Sequence, residues 1–256
     1  MTSTLTAPAP SVAPAAPHRI WNVVRMHVAN PFPTLVMPWL VTLAIFGLNL
    51  AIELMVVRAA GGVDNLDENA FQYNGGISWI AIFMLITAVQ AMNLTFRFAL
   101  GFSVTRRDFY LGSSLYFAML SVLYATGITV MAAVERATDG WGMHAAFFAP
   151  WGLVNQPLAA VWAVFVLGLL LFFFLGVAAA TLWVRWKAYG LYAFFLTLAV
   201  IVVGFGWLVT ATDNWSAVWD YLSGHSAVQL AAGTLPFTLI CAVAGFLFLR
   251  RATPRA

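Results

Sequence analysis

Residues 158–180 read LAAVWAVFVLGLLLFFFLGVAAA, 23 residues without one charged, hydroxyl or amide side chain. A helix of roughly 20 apolar residues crosses a hydrocarbon layer about 30 Å thick, so this stretch is expected to span a membrane. The run is continuous rather than alternating, and in lipid strands survive only in closed barrels, so the span is read as a helix. Pro157 stands just before it, where a missing amide hydrogen does no harm.

Working outward, apolar stretches recur at about 36–57, 77–97, 111–134, 158–182, 189–211 and 232–250. Pro236 is expected to tilt or kink the first turn of the last. The expected fold class is all-α: a polytopic membrane protein with six transmembrane helices in a single domain over 18–256. Composition agrees. The 256 residues are 62% hydrophobic and 8% charged, whereas soluble domains have about 45–50% apolar and about 25% charged residues. Residues 1–17 hold four prolines among Ala, Ser and Thr and are expected to be a disordered tail, with no basic start and apolar run to make a signal peptide.

Charge placement orients the spans. With the N-terminus inside, Arg19, Arg25, Arg97, Arg106, Arg107, Arg185, Lys187, Arg250, Arg251 and Arg255 fall on cytoplasmic stretches and span ends, while only Arg58 and Arg136 fall outside. That bias predicts both termini in the cytoplasm. A single lysine and scattered arginines make a poor polyanion surface, so no nucleic-acid partner is expected. Cys241, the one cysteine, excludes an internal disulfide and reads as a buried structural thiol.

Before the first span, RIWNVVRMHVA at 19–29 places Ile20, Val23, Val24 and Val28 close to one face, and Pro31 and Pro33 follow. This predicts a short interfacial helix, broken from the span by the two prolines. Beyond the fifth span, residues 212–231 carry Trp215, Trp219 and Tyr221; they are read either as two short helices dipping into the outer leaflet or as a plain surface loop.

Few residues within the spans can do chemistry. Glu53 lies near the outer end of the first; it is read as a path residue or as a carboxylate paired with Arg58. Thr87, Gln90, Asn93 and Arg97 recur every three or four positions and share a helical face, which either lines a path or subunit interface or serves as interhelical glue. Gly127, Gly168 and Gly176 are expected to allow close helix approach. The chain lacks G-x-x-x-x-G-K-[ST] and H-E-x-x-H, its four histidines are scattered, and no catalytic cluster, cofactor site or metal site is expected.

The sharpest local signal is the turn TRRDFYLG at 105–112. Thr105 and Asp108 stand three apart, as in a capping box, and Arg106 and Arg107 precede Phe109 and Tyr110, presenting charge and aromatic area together at the inner surface. With the Pro-rich tail, the interfacial helix and six spans, this turn resembles the permease subunit of bacterial type-2 ATP-binding-cassette transporters. The resemblance implies that 19–29 is the elbow helix and that Thr105, Arg106, Arg107, Asp108, Phe109 and Tyr110 contact a separate cytosolic ATPase, with Arg185 and Lys187 as a smaller contact. It further implies ATP-Mg bound on that partner rather than on this chain, a second permease copy or paralogue, residence in the bacterial plasma membrane, and export. The lack of charged residues along the spans suggests a hydrophobic or amphipathic cargo such as a drug, peptide or lipid. A carrier or channel without an ATPase, or a non-transporting membrane assembly or regulatory protein, stays open as the alternative.

Overall fold

The computed structural model describes residues 16–67, 69–101 and 104–251, all helix, turn or loop with no strand among them. Most of the Pro-rich tail therefore lies outside the described residues, as do Glu68 and Arg255. Four helical stretches are long and apolar enough to cross a membrane: Phe32–Ala60, Arg106–Ala137, Leu158–Ala211 and Ala227–Arg250.

Helix α1, Ala16–Val28, is amphipathic and lies against α5, Arg106–Ala137. Val23 and Val24 are buried in the contact, whereas Val28 is exposed. The docking point is Gly112, where an added Cβ would lie 2.5 Å from Val23 Cβ and 2.8 Å from the Ile20 carbonyl oxygen. The prolines do not hold the first span back to residue 36. A π-helical turn, Phe32–Val36, contains Pro33 and runs directly into α2, Met37–Ala60. Proline is tolerated there because first-turn amides have no intrahelical acceptor. Gly61, in the left-handed conformation, ends α2. Trp39 stacks on Tyr124 at 5.7 Å and fills the space that Gly127 leaves open on α5.

The second apolar stretch is a rod over 78–101: α3, Ser78–Gln90, a π-helical turn, Ala91–Thr95, and α4, Phe96–Gly101. Gly176 brings it against α6, Leu158–Ala211; a Cβ there would meet the Leu85 carbonyl oxygen at 2.5 Å. Gly168 has nothing within 4 Å of its missing Cβ, so it is not a point of close approach. Phe117 of α5 stacks on Phe173 of α6 at 4.6 Å. Between helices in lipid such shape fit replaces the hydrophobic effect, because lipid tails are as apolar as the side chains.

The 54 residues of α6 do not make one straight rod. Lys187 sits at φ 56°, ψ −142°, and the chain reverses there. Gly190 comes so close to the preceding arm that a Cβ on it would lie 3.0 Å from the Leu182 carbonyl oxygen. Residues eight apart in an unbroken helix are separated by about 12 Å along the axis. The two arms, 158–186 and 188–211, correspond to the fourth and fifth apolar stretches. Most of the second arm is exposed in the single chain.

After the hairpin come α7, Trp215–Gly224, and α8, Ala227–Gly233, so two short helices replace the alternative of a plain loop. Ser226 and Gln229 close a reciprocal capping box at the start of α8. The last helix, α9, Leu235–Arg251, packs on both α6 and α5.

Candidate functional site

The TRRDFYLG turn is the N-terminus of α5. Thr105, in extended conformation, accepts a hydrogen bond from the Asp108 amide at 3.1 Å and caps the helix. Arg107 is exposed and Arg106 half-buried. The Arg106 guanidinium donates to the Arg250 carbonyl at 3.1 Å, tying the start of α5 to the end of α9. Phe109 and Tyr110 correct the expectation of a surface aromatic patch, for both are buried. Phe109 meets Phe96 at 5.2 Å, while Tyr110 donates to the Ala242 carbonyl and packs edge-on against Phe246. The helical repeat turns 109, 110, 113, 116 and 117 inward and leaves 107 outward.

The second arginine-bearing turn meets the same end of the bundle. Arg185 lies 4.5 Å over the Trp186 ring and 5.9 Å from the Phe248 ring of α9. Arg185 and Lys187 are both exposed. The two turns, far apart in sequence, are thus joined through the last turns of α9.

His27 lies on the inner side of α1. Its ring stacks on Tyr116 at 5.0 Å, and Nε2 is 2.9 Å from Ser113 Oγ. Burial pulls its pKa from the usual 6.5 down to about 4.

The polar face of the second rod is not uniform. Thr87 is buried, Asn93 half-buried and Gln90 exposed. The Arg97 side chain lies outside what is described. The π-helical turn falls across this face, and such turns are frequent at functional positions. Gln90 stands near the midpoint of the rod and is exposed. In hydrocarbon, an unpartnered amide costs several kcal/mol. Glu53 lies apart from this face: it is buried in α2, is not ion-paired with Arg58, and has Glu135 as its electrostatic neighbour.

Glu135 was not singled out in the sequence. It is fully buried near the end of α5 and accepts from the Phe147 amide at 2.9 Å, the Phe148 amide at 3.0 Å and the Trp141 indole at 3.4 Å. Around it Asp139, Trp141, His144 and Trp151 take positive φ, and Phe147 and Phe148 pack on Phe46. The Asn74 amide donates to the Ala146 carbonyl at 2.7 Å, and the Trp151 amide to the Gln72 carbonyl at 3.0 Å. These bonds sew the loops at 66–77 and 138–157 into one cap. A signal was available, because a carboxylate in the last turn of a helix opposes the helix dipole and needs donors of its own.

One apolar groove of about 550 Å³ lies between the hairpin arms and α9, walled by Leu182, Trp186, Phe194, Phe237, Cys241 and Phe248. Cys241 is buried there, as expected. Among the described residues no cluster of His, Cys, Asp and Glu is arranged to hold a metal. No protein-family model, curated protein or solved structure matches this chain.

Proposed function

We propose that this chain is the membrane-spanning permease subunit of an ATP-binding-cassette transporter in a bacterial plasma membrane. It crosses the bilayer six times, by 32–60, 78–101, 106–137, the two arms of α6, and α9, with both termini in the cytoplasm. A separate cytosolic ATPase, holding ATP-Mg, docks on the end that carries Thr105, Arg107, Asp108, Arg185 and Lys187. The cargo is a small hydrophobic or amphipathic molecule, and transport is outward.

The observation that carries this reading is the construction of the 105–112 turn. Its cap and exposed arginine face outward while Phe109, Tyr110 and Gly112 lock it to α4, α9 and α1. A push on such a turn moves three helices together, which a mere topology signal does not require. In this reading Phe109 and Tyr110 transmit the push from inside, and Arg106 does so through Arg250. The exposed position of Gln90 supports a second permease copy or paralogue, with Thr87, Gln90, Asn93 and Arg97 along the shared path. Glu53, buried with Glu135 as its electrostatic neighbour, lies apart from that face and belongs to a separate outer segment of the path.

The test is purification from native membranes in mild detergent, followed by identification of stoichiometric partners. A Walker-motif ATPase is expected. Arg107→Glu should release it, or abolish ATP-dependent transport, without changing membrane insertion. Absence of any ATPase, or unchanged attachment and transport in the variant, overturns the proposal.

A further inference from the structure

Where α5 begins and α9 ends, a groove of about 680 Å³ is lined by three arginines. Arg106, Arg107 and Arg250 stand at the terminal turns of α5 and α9, and Leu111, Val243 and Phe246, further along the same helices, supply an apolar wall. Asp108, the acid of this turn, is not among the lining residues. Among the described residues no carboxylate lies within 4 Å of these arginines.

Three cations lining one groove, with no carboxylate within 4 Å, favour an anion. Arg106 is already fixed by its bond to the Arg250 carbonyl, so the groove is partly organised before any ligand arrives. The wall narrows the choice. Leu111 and Val243 are exposed apolar residues on helices read as spans, one turn or more along from the arginines. A soluble anion leaves that wall bare, whereas a phosphate carrying an acyl chain covers both parts. Basic pockets between membrane helices commonly take anionic headgroups in this way.

We infer that this groove binds one anionic phospholipid, with its phosphate among Arg106, Arg107 and Arg250 and an acyl chain along Leu111, Val243 and Phe246. The inference shares with the permease reading the placement of the chain in a membrane and the side chains of Arg106 and Arg107. The bound lipid bridges α5 to α9 on the face beside the docking turn, and its headgroup neutralises the arginine cluster.

The experiment uses the full chain purified alone in detergent, with no ATPase present. It is titrated separately with dioleoyl phosphatidylglycerol, dioleoyl phosphatidylcholine and sn-glycerol 3-phosphate, and retained molecules are counted by native mass spectrometry. One phosphatidylglycerol per chain is expected, retained at least tenfold better than phosphatidylcholine, with no retention of glycerol phosphate. Arg250→Gln, which removes the charge, and Val243→Trp, which fills the wall, should each lower retention at least fivefold. Equal retention of the two lipids, glycerol phosphate binding as well as the lipid, or wild-type retention in both variants would overturn the inference. Because ATPase capture is read with Arg107→Glu in a separate preparation, either proposal can fail without the other.

Discussion

Replacing Glu135 by Ala removes the acceptor for the Phe147 and Phe148 amides and the Trp141 indole. A buried donor left without a partner costs about 1–3 kcal/mol, so the two amides alone represent about 2–6 kcal/mol. Removing the carboxylate also removes the cost of burying it, which offsets part of that loss. A net destabilisation of about 2–4 kcal/mol follows. For a chain of this size that corresponds to a fall in thermal midpoint of roughly 5–15 °C. Glu135→Gln keeps an acceptor oxygen and should lose about half as much. The assay is circular dichroism melting of the detergent-purified chain, paired with trypsin cleavage after Arg136, the residue next to the anchor. Glu135→Ala should melt earliest and be cut fastest, with Glu135→Gln between it and wild type. If Ala and Gln variants melt together with wild type and resist trypsin equally, the carboxylate does not hold the cap.

Gly112→Leu puts a side chain where Val23 and the Ile20 carbonyl already lie within 3 Å of a Cβ, so α1 must leave its seat on α5. Overpacking of this kind costs about 1–3 kcal/mol, and proteolysis at Arg19 and Arg25 should quicken while the spans still insert. His27 gives a pH dependence of defined sign. Its folded pKa of about 4 lies below the usual 6.5, so the stabilisation of docked α1 is complete above pH 6.5 and is lost as pH falls toward 4, below which it levels off. The full amplitude is at most about 3 kcal/mol. His27→Gln should flatten the profile when α1 protection is followed by hydrogen exchange from pH 7.5 to 4.5; an unchanged slope would move the effect to another group.

The helices were legible because membrane spans announce themselves by apolar length, which needs no knowledge of the partner. The stretch at 158–180 required nothing beyond itself. Burial of Phe109 and Tyr110 was not legible, because a helix has an inner side only once α9 and α4 are placed against it. The π-helical turn that carries the first span back to Phe32 was hidden for a related reason: two prolines can end a helix or open one, and sequence does not distinguish these until the first turn is located. The π-helical turn at Ala91–Thr95 leaves no mark in composition. At the outer cap, Asp139, Trp141, His144 and Trp151 adopt left-handed backbone, a conformation that bulky Trp141 and Trp151 disfavour, and the bonds to Glu135, Gln72 and Ala146 hold the loops in place. Gly112 stands in sequence as one letter of the 105–112 turn, and its missing side chain is the berth of α1.

The sulfur in the wall of the apolar groove has a practical corollary. Nature has installed a single chemical handle, Cys241, where α9 leans on the hairpin, and left none elsewhere in the chain. The pace at which a small maleimide reaches it is a clock for the breathing of that seam, and any molecule that slows the clock leaves its footprint on an unmutated protein.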